Sequence, residues 1–442
     1  MKTNQKNSTP IIEEKTGIDR RTFMGYSAAG IIAAGLSGIS SCTTKESAAP
    51  TNEVVATASN AVKKEYAKYY FPYHKKPATV LDFGLTPEQE DRAKALHASL
   101  YVFDFEPEVD WYEGLFDNFL SGGARGVGGS FTIDAVNWGK VHGYEDPADF
   151  EVTKEDWWTR GNMDDNIAFI KELEKGGKCM ICLNSADLEK AAKAGKVAMM
   201  LDAQHGYFIG NQLDRLNEYY DKGLRRVQLS YNRASMLATG CMDPRDGGVT
   251  TFGKEAIARM NEIGILVDTG HCSSFTLLDA IDVSSKPIAC SHAGLRSISP
   301  RNPRTHNDEG LKKLADNGGV FGVVGSPGTM GEDMPQAADV KDFIRCIDYA
   351  VNLMGEDHVG FALDQVQAPS FKEFLTSPDW PAEAVASVNV EYWPWSDIFK
   401  GMENQSGYPN LTRGMVALGY SDEKITKIMG GNHMRLVKEV IG

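Results

Sequence analysis

The chain has 442 residues, 42% of them hydrophobic and 10% aromatic, which is enough to bury a large core and excludes a disordered or fibrous protein. Acidic residues outnumber basic ones by 60 to 46, for a formal net charge of −14. Such a surface repels nucleic acid and anionic lipid headgroups, so neither is expected as a partner.

The N-terminus reads as an export signal. Asp19-Arg20-Arg21-Thr22-Phe23-Met24 is followed by a weakly apolar Gly/Ala-rich run from Gly25 to Ser41, the pattern of a twin-arginine leader and poor material for a permanent spanning helix. Ile39-Ser40-Ser41-Cys42 then resembles a bacterial lipobox, with Cys42 as the lipidated residue. Residues 1–41 are therefore expected to be a twin-arginine/lipoprotein signal peptide, 42–79 a flexible tether, and 80–442 the folded body, working as a periplasmic lipoprotein of the bacterial cell envelope. Residues 1–41 hold five Lys/Arg and three Asp/Glu, so the remainder carries −16, and membrane attachment rests on the lipid at Cys42. A twin-arginine route carries proteins already folded, which suits loading of a metal or cofactor before export.

Along the body, short apolar or β-branched runs alternate with amphipathic helical stretches, as in repeated βα units around a parallel sheet. Nine strands are predicted: 100–104, 127–132, 178–183, 197–202, 225–229, 265–269, 287–291, 319–324 and 359–363. Thr86-Pro87-Glu88-Gln89 opens a helix with a capping box and a proline in its first turn. Other helices are predicted over 211–221, 252–263, 276–281 and 307–316, with Gly264 and Gly318 as stops. Residues 372–395 read as a long insertion, and 410–418 and 421–429 as closing helices. Cys179 and Cys182 form a CxxC on a strand, either a redox pair or two small buried hydrophobes on opposite faces. The second reading is preferred because no helix N-terminus follows to lower a thiol pKa. The fold class expected is α/β, a (β/α)8 barrel with a C-terminal insertion.

In such a barrel, side chains at the C-terminal strand ends line the active-site mouth. Val267-Asp268-Thr269-Gly270-His271 and Ile288-Ala289-Cys290-Ser291-His292 place two histidines at successive strand ends, where they would bind one transition metal side by side. Gln204 and His205 follow an earlier strand and Asp364 ends a later one. His205 is read as lining the mouth or as a plain loop histidine.

Several segments resemble the membrane (renal-type) dipeptidases, peptidase family M19 of the amidohydrolase superfamily. They are Gly264 through His271, Ser291-His292-Ala293-Gly294-Leu295-Arg296, Ser299-Pro300-Arg301-Asn302, Asp316-Asn317-Gly318-Gly319-Val320 and Gly430-Gly431-Asn432-His433-Met434-Arg435. The resemblance runs from about residue 85 to the end. It implies a metal-dependent-hydrolase barrel with a two-zinc site in which His271 and His292 are ligands, Arg301 receives the substrate carboxylate and Asp364 shuttles protons.

The chain also departs from that pattern. The family's Asp-Gly-His-x-Asp run appears as Asp104-Phe105-Glu106-Pro107-Glu108, its zinc-bridging glutamate as Gln204, and a substrate-binding histidine as Tyr231. A neutral amide bridges two dications poorly, because it has one acceptor oxygen and carries no charge. Glu106 and Glu108 are read either as replacement ligands or as solvent-facing loop charges.

The expectation is a hydrolase of a small peptide or amide holding one ion, zinc or another divalent metal, on His271 and His292 with Gln204 or a glutamate; a centre with no metal stays open. The alternatives are a non-peptidase tailoring enzyme with Tyr231 and Asp364 as acid-base groups, and a catalytically silent binding protein. A homodimer is left open.

Overall fold

The structure is a computed structural model describing residues 76–107, 114–130, 162–331, 338–365 and 398–442. The export signal, Cys42, Glu108 and the 372–395 insertion lie outside the described residues. Among the described residues ten strands form: β1 (Val102–Asp104), β2 (Ala124–Ser130), β3 (Cys179–Ile181), β4 (Val197–Ala203), β5 (Leu224–Gln228), β6 (Leu266–Asp268), β7 (Ala289–Leu295), β8 (Thr305–His306), β9 (Val320–Val324) and β10 (Val359–Ala362). All pair in parallel, and eight of them follow one path, β1-β2-β4-β5-β6-β7-β9-β10. With helices between the strands, this is the expected (β/α)8 barrel.

The ninth predicted strand finds a place beside β4 rather than in the ring. β2 covers one edge of β4 from Ala198 to Asp202. The other edge is shared, with β3 on Val197 to Met199 and β5 on Leu201 to Ala203. β8 was not anticipated; its two residues pair with Gly294 and Leu295 at the end of β7.

Strands buried on both faces read as continuous apolar runs, and alternation still sorts their side chains. On β4, Val197, Met199 and Leu201 join the outer core with helix residues such as Leu216, Ile257 and Leu311. Ala198 and Met200 join an inner group with Phe103, Leu266, Ala289 and Val320, closed at one end by Leu436, Val437 and Val440 of the C-terminal helix. Cys179 falls in the outer group and Cys182 in the inner one. Both thiols are free, and burial pushes each up to about 12, so the CxxC is a pair of small core residues, even though a helix that was not predicted, Ser185–Lys193, starts just after Cys182.

The predicted start of the first helix is confirmed: Thr86 accepts from the Gln89 amide, Gln89 reciprocates, and Pro87 is the first helical residue. Gly264 ends the helix Thr251–Ile263 at φ 83°, a conformation that favours glycine.

The ring closes between β1 and β10 without a backbone ladder. Asp104, fully buried, accepts the Leu363 N–H at 3.2 Å and the Tyr408 hydroxyl at 2.8 Å, and the Asp364 N–H donates to the Glu106 carbonyl at 2.6 Å. Burial raises the Asp104 carboxyl to about 7, against the lowering effect of these hydrogen bonds. Among the described residues no helix is long and apolar enough to cross a membrane.

Candidate metal centre

Continuing the inward-facing rows toward the C-terminal strand ends, apolar side chains give way to polar ones. On β4 the row Ala198, Met200 leads to Asp202 and Gln204. On β6 Leu266 leads to Asp268, and on β5 Arg226 is followed by Gln228. Asp202, Gln204, Arg226, Gln228 and Asp268 are all buried. The histidines stand at the top of this polar layer.

His271 and His292 lie with ring centroids 4.7 Å apart and an interplanar angle of 67°. They and Asp364 each offer a ligand atom within 4.8 Å of the others. His271 Nδ1 lies 2.8 Å from Asn232 Oδ1, and His292 Nδ1 lies 2.7 Å from Ser291 Oγ. Both Nε2 atoms are buried without a hydrogen-bond partner among the described residues. His292 Nε2 is 3.8 Å from Asp364 Oδ2. Burial, followed by the charge of Arg304, holds both imidazoles well below the usual histidine range, so they are neutral near pH 7, the form that ligates a metal.

Asp364 is the sole non-glycine residue with positive φ, 48°, among the described residues. Aspartate tolerates this region better than most side chains, and here it turns the carboxylate from the end of β10 toward His292. Burial raises its pKa to about 6, opposed by Arg304, whose Nη2 lies 3.4 Å away.

Arg304 was not among the predicted site residues. It is 1% exposed, donates to the carbonyls of Gly270 and His292, and so braces both histidine-bearing segments. Arg301, the predicted substrate arginine, is exposed three residues earlier. Between them Asn302 accepts the Arg304 N–H at 2.9 Å and donates to the Gly328 carbonyl at 2.9 Å, a turn that sends the later arginine inward.

Glu106 is not a solvent-facing loop charge. It is fully buried, and its Oε2 sits 2.8 Å from Arg226 Nη2 and 4.0 Å from His292 Nδ1. Gln204 is 2% exposed, with neither amide atom partnered among the described residues. Tyr231 stacks on the His271 ring at 3.9 Å and 25°. His205 is buried, its Nδ1 accepting the Tyr207 N–H at 3.2 Å.

The donor set fits a divalent transition metal. Two neutral imidazoles present partnerless Nε2 atoms beside a carboxylate, each ring is oriented through its other nitrogen, and a buried amide nearby has unused polar atoms.

A parallel (β/α)8 barrel with such a histidine-carboxylate group at its C-terminal strand ends defines the class of metal-dependent amidohydrolase-type barrels. The chain belongs to the membrane dipeptidase family (peptidase family M19), whose model matches residues 158–376. The dipeptidase tcpJ of Claviceps purpurea is 27% identical over 256 residues, 58% of this chain, and the chain spans about half, 53%, of that relative's length. An amidohydrolase from Pseudomonas aeruginosa superposes with a TM-score of 0.68 at 26% identity, covering 79% of this chain and 99% of the other. The probable dipeptidase PvdM from Pseudomonas aeruginosa has a TM-score of 0.64 at 20% identity, covering 80% and 99%, and shows the shared fold.

Proposed function

We propose that the protein is a metal-dependent hydrolase of a small peptide or amide, with one divalent ion, zinc or a similar transition metal, held by His271 and His292. The observation that carries this is the convergence of two buried imidazole Nε2 atoms that have no partner among the described residues. When bound, such an ion supplies Lewis-acid polarisation of a scissile carbonyl and acidifies a water. Gln204, with its unused amide oxygen, is assigned as a further ligand.

Asp364 carries the proton. Its carboxylate is held toward His292 by its left-handed backbone and by Arg304, within reach of the group that gains a proton when an amide bond breaks. Tyr231, on the face of His271, and the exposed Arg301 are assigned to substrate, the guanidinium suiting a terminal carboxylate. The fold and family support the hydrolytic class. The dipeptidase names of the relatives support a dipeptide-sized substrate.

Residues 19–42 support an exported lipoprotein attached through Cys42 and working in the bacterial cell envelope. Lipid labelling of the wild-type chain, lost in Cys42→Ala, tests that location. The activity is tested by elemental analysis of the purified chain together with dipeptide hydrolysis. About one ion per chain and chelator-sensitive release of amino acids are expected. A folded protein with no metal and no chelator-sensitive turnover would overturn the reading.

A further inference from the structure

Below His271 and His292 lies a second set of charges. Arg226, on β5 and 1% exposed, places Nη2 2.8 Å from Glu106 Oε2 and 2.7 Å from Asp202 Oδ2, and Nε 3.5 Å from Asp268 Oδ2. Its Nη1 donates to the Phe105 carbonyl at 2.9 Å. One guanidinium thus takes carboxylates from the ends of three strands, β1, β4 and β6. Glu106 Oε2 in turn lies 4.0 Å from His292 Nδ1, so the cation is one carboxylate away from the metal-binding imidazoles.

Two dications a few Å apart need anionic oxygens between and around them, because their repulsion grows as the local dielectric falls. Here the oxygens of the three nearby acids are engaged by a cation that keeps its proton at any working pH and cancels one of their three formal charges, and Gln204 contributes none. The arrangement has a mechanical side as well. Asp268 Oδ1 accepts the backbone N–H of Ser291 at 2.9 Å and of Gly270 at 3.1 Å, tying Arg226 to both histidine-bearing segments.

We infer that Arg226 is a resident cation standing in for a second metal ion. It supplies positive charge beside His292 and withholds Glu106, Asp202 and Asp268 from any second ion, so the centre is built for one. This rests on His271 and His292 being metal ligands, as proposed above.

The test counts ions in the full-length chain after removal of metal and equilibration with excess zinc, by elemental mass spectrometry, in wild type, Arg226→Met and Arg226→Met/Glu106→Gln. One ion per chain is expected in wild type. Arg226→Met should gain one more, with zinc raising its melting temperature more than that of wild type, and the double variant should lose the extra ion. A second tightly held ion in wild type overturns the inference, and so does a folded Arg226→Met that takes up no more than wild type. A wild-type count of zero overturns the histidine site and the inference together, whereas one ion in wild type with no gain in Arg226→Met overturns the inference alone. Should Arg226→Met not fold, cobalt(II)-loaded wild type decides by electron paramagnetic resonance: an isolated cobalt signal supports the inference and a spin-coupled pair overturns it.

Discussion

Asn232 Oδ1 lies 2.8 Å from Nδ1 of His271, and because a carboxamide oxygen only accepts, the imidazole carries its hydrogen on Nδ1 and turns the Nε2 lone pair into the barrel. Asn232→Ala should weaken zinc binding by about 10–100-fold, the usual cost of losing a partner behind a ligand. Competition with a chromogenic chelator measures it. Asn232→Asp, which keeps the acceptor, should recover most of the affinity.

Gly270 is packed where a side chain cannot go. A Cβ there would lie 2.7 Å from Gln228 Oε1 and 2.8 Å from both His292 Nδ1 and Ser291 Oγ. Gly270→Ala should displace the His292 ring and reduce metal content, with a melting temperature lowered by several degrees. Elemental analysis and thermal melts check the two effects together.

Replacing the proton carrier should separate chemistry from metal binding. Asp364→Asn is expected to lower kcat by about 10²–10⁴-fold with metal content kept within a factor of two. Steady-state kinetics on a dipeptide, normalised to bound metal, gives both numbers.

His433 provides a pH prediction that concerns stability rather than the reaction. Its ring stacks on Phe105 at 3.8 Å, lies 3.1 Å through Nδ1 from the Phe103 carbonyl oxygen, and is held by burial at about 3. The unfolded chain protonates this histidine near 6.5 and the folded one does not. Stability from this group is therefore full above about 6.5 and falls as pH drops from there toward 3, by up to about 1.4 kcal/mol per pH unit. His433→Asn, which can keep a donor for Phe103, should flatten this acid limb relative to wild type in chemical denaturation measured from pH 7 to pH 5.

Much of the barrel was legible because strands buried on both faces are written as apolar runs, and all nine expected strands form. β8 was missed because Thr305-His306 has no apolar run to announce it. The histidines were found by their position after strands. Arg226 was not, and β5 explains why: Leu201 pairs with Leu224 but Asp202 pairs with Arg226, so β5 holds one extra residue at Arg225. Leu224 and Val227, three apart, both join the outer core. Arg225 lies against the Leu183 carbonyl and the Tyr220 ring while Arg226 points inward, an outcome that strict alternation cannot give. Arg304 was hidden by the turn at Asn302, which turns this arginine inward toward the Asp364 carboxylate.

The side-chain closure between the first and last barrel strands has a consequence for biogenesis. Asp104 is translated early, whereas its partners Leu363 and Tyr408 follow 259 and 304 residues later. During synthesis the incomplete ring must wait with a carboxylate on its open edge, charged and hydrated until the closing strand arrives. A hydrated edge charge resists pairing with a neighbouring chain. The aspartate that seals the finished barrel therefore meets neither of these partners until almost the whole chain has been made.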